Sequence, residues 1–328
     1  MRHGDIQVNS TKYFRIGFIA LMLALTACSG STPSGAGGSS IIPRAVHSKD
    51  VLGGIPTSPI SILLTDAPPR IANLTPSAIN IGIDSVAVVS NGVTTTLASY
   101  STPYVVNVLA AQSQPSSIGI GSLFSGAYQQ LQFVVDVKSS NLVANGITYP
   151  LSFLTNTWTQ SSVGAGTTTQ TTAVSPGTVA MTVTGPFTVD DQPANAVIAD
   201  FNALESIAQQ STGSLVVRPT LFAVPTVEAG MISGTVLNAS GNPVYGATVV
   251  AFDNEGNVAN TVDTNTDGTF TLHTLVAGSY QLRVFNSYTT ASGQQLSANG
   301  QTSTESSVRG PSVNVTATQT TQVGTIQD

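Results

Sequence analysis

Apolar residues recur at every second position over several stretches of this chain, and that period restricts its fold more than any other feature. Ile79, Ile81 and Ile83 alternate with Asn80, Gly82 and Asp84; Leu131, Phe133, Val135 and Val137 alternate with Gln132, Val134 and Asp136; Val179, Met181 and Val183 alternate with Thr178, Ala180 and Thr182. A two-residue period sends successive side chains to opposite faces of a strand. These segments therefore predict antiparallel strands with one buried and one wetter face. After Ile83 the phase slips and Val86 and Val88 carry it on, which predicts a β-bulge or a strand break. Charged residues make up only 8% of the chain, against ~25% in ordinary soluble domains, so Thr, Ser, Asn and Gln must supply the polar surface. Threonine and valine suit a pleated, half-buried surface, and the 30 glycines and 17 prolines supply turns. The expected class is all-β. Helix is expected only as one or two turns in 201–209, where apolar residues fall at helical spacing. The Thr-, Ser- and Gly-rich stretch 155–175 reads as a loop or an irregular hairpin.

The N-terminus has a different grammar. Arg2, Lys12 and Arg15, against a single Asp5, precede the apolar run Ile16–Leu25. A basic segment followed by a short apolar one is the pattern of a secretory signal, and the run falls well short of the ~20 residues that span a bilayer. It ends in Leu25, Thr26, Ala27 and Cys28, which resembles the lipobox of bacterial lipoproteins. That resemblance implies removal of residues 1–27 and acylation of Cys28, the only cysteine in the chain. A lone cysteine in an exported chain also excludes an internal disulfide framework. Several acyl chains, at ~0.8 kcal/mol per buried methylene, give a stable membrane anchor. The expected location is the cell envelope, and the outer membrane in a two-membrane cell, because Ser29 stands where the resemblance would put Asp for inner-membrane retention. Residues 28–57, rich in Gly, Ser and Pro at their start, read as a flexible tether.

Removal of residues 1–27 leaves 7 of the 10 basic and 15 of the 16 acidic residues, a balance of about −8. Nucleic acid is therefore not an expected partner, since phosphate binding needs clustered Lys or Arg.

Two family resemblances follow along the chain. Ser58–Pro69, Leu123–Phe133, Ile198–Ile207 and Leu215–Leu221 together resemble the start, middle and end of domain of unknown function 4382, over 58–225. That family occurs in prokaryotic envelope lipoproteins and implies no activity. Met231–Phe252, Asp263–Leu272 and Leu275–Val284 resemble the carboxypeptidase regulatory-like domain, over 230–328. This second resemblance implies a seven-stranded, transthyretin-like β-sandwich of the carbohydrate-binding-like fold, with residues 286–311 as an insertion before the last strands. The residues agree with it. Ser240–Pro243, Asp253–Gly256 and Asn265–Gly268 are turn chemistry spaced as a sandwich requires. Phe270, Leu272, Tyr280, Leu282 and Val284 should fill the space between its sheets. Residues 224–230 form a short boundary, across which modest contacts are expected.

Candidate chemistry is sparse. His3 lies in the signal, His47 in the tether and His273 at a strand end, which leaves 58–225 without histidine and excludes a Ser-His-Asp arrangement there. Asp190, Asp191, Asp200 and Glu205 cluster in sequence and could supply a glycosidase pair; the plainer reading is solvated turn carboxylates. Asp263, Asn265 and Asp267 match the first half of a calcium loop, but its twelfth position is Thr274, which offers no bidentate carboxylate. A β-turn explains the same residues, so no metal and no cofactor is expected. Tyr245, Tyr288 and Trp158 are candidates for stacking on sugar rings, against a packing role for each. The expected protein is a non-catalytic envelope lipoprotein with two β-sandwich-like domains, acting as a surface binding or adhesion module for a glycan or an envelope protein. A structural spacer is the alternative, and a glycoside hydrolase on the first domain the third reading.

Overall fold

The computed structural model describes residues 57–328, apart from 67–70, 72–73, 113–114, 154–157, 163–165, 172–176, 192–194, 291–294 and 298–306. Cys28, the signal and the tether lie outside the described residues, which belong to one compact unit.

The first part of this unit contains thirteen strands among the described residues. They are β1 (Thr57–Thr65), β2 (Pro76–Ser90), β3 (Val93–Asn107), β4 (Ser116–Phe124), β5 (Gly126–Ala144), β6 (Ile147–Phe153), β7 (Trp158–Ser162), β8 (Gly166–Thr171), β9 (Thr178–Val189), β10 (Asn195–Phe201), β11 (Ile207–Gln209), β12 (Leu215–Val217) and β13 (Leu221–Pro225). A single helical turn, α1 (Ala203–Ser206), follows β10. One sheet has the order β13-β10-β1-β4; the other runs β11-β12-β6-β5-β9-β8-β7, with β2 and β3 branching from β5. Ile60, Ile62 and Leu64 of the first sheet share one core with Ile79, Ile81, Ile83, Phe133 and Val135 of the second. The expected phase slip is a bulge: the register of β2 shifts between Ile83 and Ser85 against both neighbours, and Val86 and Val88 return to the core.

Two local expectations need amendment. Strand β9 is not wetter on its second face, because Ala180 and Thr182 are buried along with the residues beside them. The Thr182 hydroxyl there accepts from Gln132 Nε2 at 3.4 Å. Within 155–175, strands β7 and β8 form a hairpin that pairs onto β9 and extends the sheet.

The second part contains β14 (Ala229–Leu237), β15 (Thr248–Phe252), β16 (Val258–Asp263), β17 (Thr269–Val276), β18 (Gly278–Phe285), β19 (Ser287–Thr289), β20 (Gln295–Ser297), β21 (Ser307–Val315) and β22 (Thr320–Gln327). Sheets β17-β14-β22 and β16-β15-β18-β21 make the seven strands of a sandwich, and β19 and β20 form a separate hairpin. Phe270, Leu272, Tyr280, Leu282 and Val284 lie in its core, as their alternation predicts. The stretch 286–311 is only partly an insertion, because β21 already begins at Ser307. Gly268 closes the β16–β17 turn at φ +76°, and a Cβ there would sit 2.5 Å from the Val236 carbonyl oxygen. Glycine is therefore required at this position on two counts.

Candidate functional site

The seam between the two parts is where the structure departs most from the sequence reading. Strand β13 reaches β14 through residues 226–228, and Phe222 and Val224 pack with Ala229 and Val276. Beneath them lies a buried polar network. Asn260 Nδ2 donates to Asp200 Oδ2 at 3.1 Å and to the His273 carbonyl at 2.9 Å. Its Oδ1 accepts from Asn202 Nδ2 at 2.8 Å and from the Thr261 amide at 2.7 Å. Asn202 also caps α1, accepting from the Glu205 amide at 3.1 Å. Asp200, Asn202 and Glu205 are each at most 3% exposed. The contacts across 224–230 are modest in extent, as expected, but buried: a short linker lets the two parts meet directly, and the Asn202 and Asn260 side chains bond across the seam.

This placement also corrects the reading of Asp200 and Glu205 as solvated turn carboxylates. Burial pushes the Asp200 carboxyl up to about 6, partly offset by hydrogen bonds from Asn260 and Thr274. Asp190 and Asp191 are exposed by contrast. Ser125 donates to Asp191, and Asp190 lines a separate cleft of about 160 Å³ with Asn195 and Glu228. Because Asp200 is bonded across the seam and Glu205 is buried while Asp190 and Asp191 are exposed, the structure does not set the four out as a glycosidase pair in one open cleft.

A cleft of about 290 Å³ adjoins the seam, lined by Thr65, Pro115, Ile198, Met231, His273 and Thr274 among others. His273 lies within β17 rather than at its end, and burial lowers its pKa, so its ring is neutral near pH 7. The Thr65 hydroxyl donates to the Ala111 carbonyl at 3.0 Å, and that of Thr274 faces Asp200. Neither hydroxyl is delivered to His273 as a nucleophile to a base.

The calcium half-match is dismantled by its own turn. Asp263 is buried and accepts from the Thr248 hydroxyl at 2.8 Å. Asp267 Oδ1 accepts from the Thr269 amide at 3.1 Å and the Thr269 hydroxyl at 2.6 Å, bonds that lower its pKa. Asn265 Nδ2 donates to the same hydroxyl at 3.1 Å. These side chains are directed at their own backbone and at Thr248 or Thr269, not at a common point.

Of the three aromatic candidates, Tyr245 is half-buried beside a turn, and Trp158 opens β7 with its side chain outside the described part. Tyr288 is the informative one. Its ring lies 5.3 Å from that of Phe285 at a 55° tilt, and Phe285 lies 6.5 Å from Phe252 at 52°. All three are half-buried. The Arg283 guanidinium sits over Phe252, 5.2 Å from the ring centre. Phe285 and Arg283 alternate along β18 with the inward Tyr280, Leu282 and Val284, so they occupy its outward face. The sequence reading missed Phe252, Phe285 and Arg283. The alternation marks Arg283 and Phe285 as outward, but only the order β15-β18-β21 brings Phe252 beside them. Tilted ring surfaces with a cation alongside form an amphipathic platform.

Comparison with known proteins bears on the domains. A family model described as a domain of unknown function (DUF4382) matches residues 57–219, and one described as a carboxypeptidase regulatory-like domain matches residues 231–327. No curated protein matches the chain significantly. Among solved structures, the major pilin subunit BcpA of Bacillus cereus is 12% identical, covering 83% of this chain and 99% of that one at a TM-score of 0.22. The shaft pilin spaA of Lactobacillus rhamnosus GG is 7% identical, covering 82% and 97% at 0.21. A 9R-lipoxygenase from Cyanothece PCC8801 is 14% identical over 32% of this chain and 17% of its own length, at 0.22. Scores this low carry no argument about fold or function. The family models show domain identity and order: a domain of the DUF4382 family is followed in this chain by a carboxypeptidase regulatory-like domain.

Proposed function

We propose that this chain is a non-catalytic, lipid-anchored protein of the cell envelope that binds a saccharide on the outward face of its second domain. The observation that carries the binding role is the row Phe252, Phe285 and Tyr288 with Arg283 beside it. Rings that are half-buried on a rigid sheet can stack on a sugar with little further ordering. Two of the four acids weighed for a hydrolase have partners: Asp200 is bonded across the seam, and Ser125 donates to Asp191. Anchoring rests on Cys28 at the end of the Leu-Thr-Ala-Cys sequence, and among the described residues no helix is long and apolar enough to cross a membrane.

A glycan array probed with the full chain tests the reading. Binding to a defined subset of glycans, lost in Tyr288→Ala and Phe285→Ala, is the expected result. Silence on every glycan, with a protein partner trapped by cross-linking in the envelope, would favour the spacer reading instead.

A further inference from the structure

The region from residue 57 onward contains only five basic residues, Arg70, Lys138, Arg218, Arg283 and Arg309. Two of them, Arg283 on β18 and Arg309 on β21, are direct cross-strand partners. Residues so paired point to the same face with side chains about 5 Å apart, and like charges there are unfavourable. A chain with a net charge near −8 after the signal has ample acid to separate or neutralise them. It does neither.

Each guanidinium is instead held by neutral groups. Arg283 lies over the Phe252 ring. Arg309 donates through Nε and Nη2 to Gln281 Oε1 at 3.1 and 3.0 Å, and the Ser312 hydroxyl donates to the same oxygen at 3.0 Å. Gln281 is itself fixed, since its Nε2 donates to the Gly310 carbonyl at 2.7 Å. Among the described residues neither arginine has a carboxylate partner, and both are exposed. Neutral positioning orients a guanidinium while leaving its full charge for something else, and two such groups side by side suit a carboxylate. Phe285 and Tyr288 continue the same surface.

We infer that this face takes an acidic saccharide of the uronate class, its carboxylate held by Arg283 and Arg309 and its ring laid on the neighbouring aromatic surface. The inference rests on the reading of this face as the saccharide site and adds the charge of the ligand. The arginine pair supplies charge complementarity, and the adjoining rings favour a sugar over a bare anion.

Calorimetric titration of the full chain in detergent with a galacturonate oligomer, its methyl-esterified form and a neutral galactose oligomer tests it. The acid form should bind at least about tenfold more tightly than the ester, because the ester cannot accept charge-assisted hydrogen bonds at both oxygens. Arg283→Gln and Arg309→Gln should each lose about tenfold, with Arg309→Lys intermediate because it keeps the charge but not the planar fork. Added salt should weaken binding. Unchanged unfolding midpoints would place these losses in recognition rather than folding. Equal affinity for acid and ester, or full affinity in both glutamine variants, would overturn the acidic assignment and leave the saccharide reading standing. Failure of all three oligomers to bind would overturn both. Arginine-dependent binding to phosphatidylglycerol vesicles without uronate binding would overturn the assignment in favour of a lipid surface.

Discussion

Replacing Asp200 with asparagine should flatten the stability of the folded chain between pH 4 and 7. Asp200 is 1% exposed, and its carboxyl is raised from 3.8 to about 6 by burial, against the opposing hydrogen bonds from Asn260 and Thr274. Because the folded state holds this proton to higher pH than the unfolded chain, the contribution is fully present below about 3.8 and is lost as pH rises through about 6. At ~1.36 kcal/mol per tenfold change in proton affinity, the loss is ~3 kcal/mol. For chains of this size that is on the order of 6–12 °C in Tm. The substituted amide would keep an acceptor for Asn260 but could not ionise. The assay is urea or thermal unfolding of both proteins at half-unit steps from pH 4 to 7.5, read as wild type minus variant. Titrations elsewhere in the chain are common to both proteins and largely cancel in the difference. The wild type should fall by ~3 kcal/mol relative to Asp200→Asn, half of it by about pH 5, midway between 3.8 and about 6, with the difference levelling off above about pH 6. Parallel curves would mean that Asp200 is not buried in the seam.

Two further outcomes follow from the second domain. Gly268→Ala should destabilise by about 1–3 kcal/mol in chemical denaturation, because the new Cβ meets the Val236 carbonyl oxygen and a positive φ must be kept; a neutral result would contradict the described turn. Millimolar calcium should leave Tm where a chelator leaves it, since Asp263 and Asp267 are engaged by Thr248 and Thr269; a gain of ~2.7 kcal/mol would indicate calcium at about a hundred times its Kd.

Strand identity was legible wherever burial is one-sided, because alternation is then written directly into the residues. The isoleucines of β2 and the row Phe270, Leu272, Tyr280, Leu282 and Val284 behave this way, and the β2 bulge was visible as a slipped phase. The turn at Asn265–Gly268 was legible because its chemistry is local. The seam was not. Asp200, Asn202 and Asn260 look like surface polar residues in sequence, and only the approach of two sheets distant in the chain makes them mutual partners. The Thr-rich hairpin β7–β8 was ambiguous for the opposite reason: with few apolar residues, its register depends on the neighbouring β9 rather than on an alternation of its own. The proposed binding face falls between these cases. Tyr288 stood out as an aromatic residue, but the ring it meets is that of Phe285, and Phe252, Arg283 and Arg309 join that surface only through the order and register of strands in the sheet.

The claim on which the rest depends is that the chain is held at the envelope by Cys28, because a saccharide-binding face acts as an adhesion surface only if the protein stays with the cell. Metabolic labelling with an alkyne analogue of palmitate, followed by membrane fractionation of wild type and Cys28→Ser, tests it most directly. The expected result is a labelled wild-type protein in the membrane fraction and an unlabelled serine variant that is released or retained only as an uncleaved precursor. An unlabelled wild type, with a serine variant of mature size still bound to membranes, would contradict it.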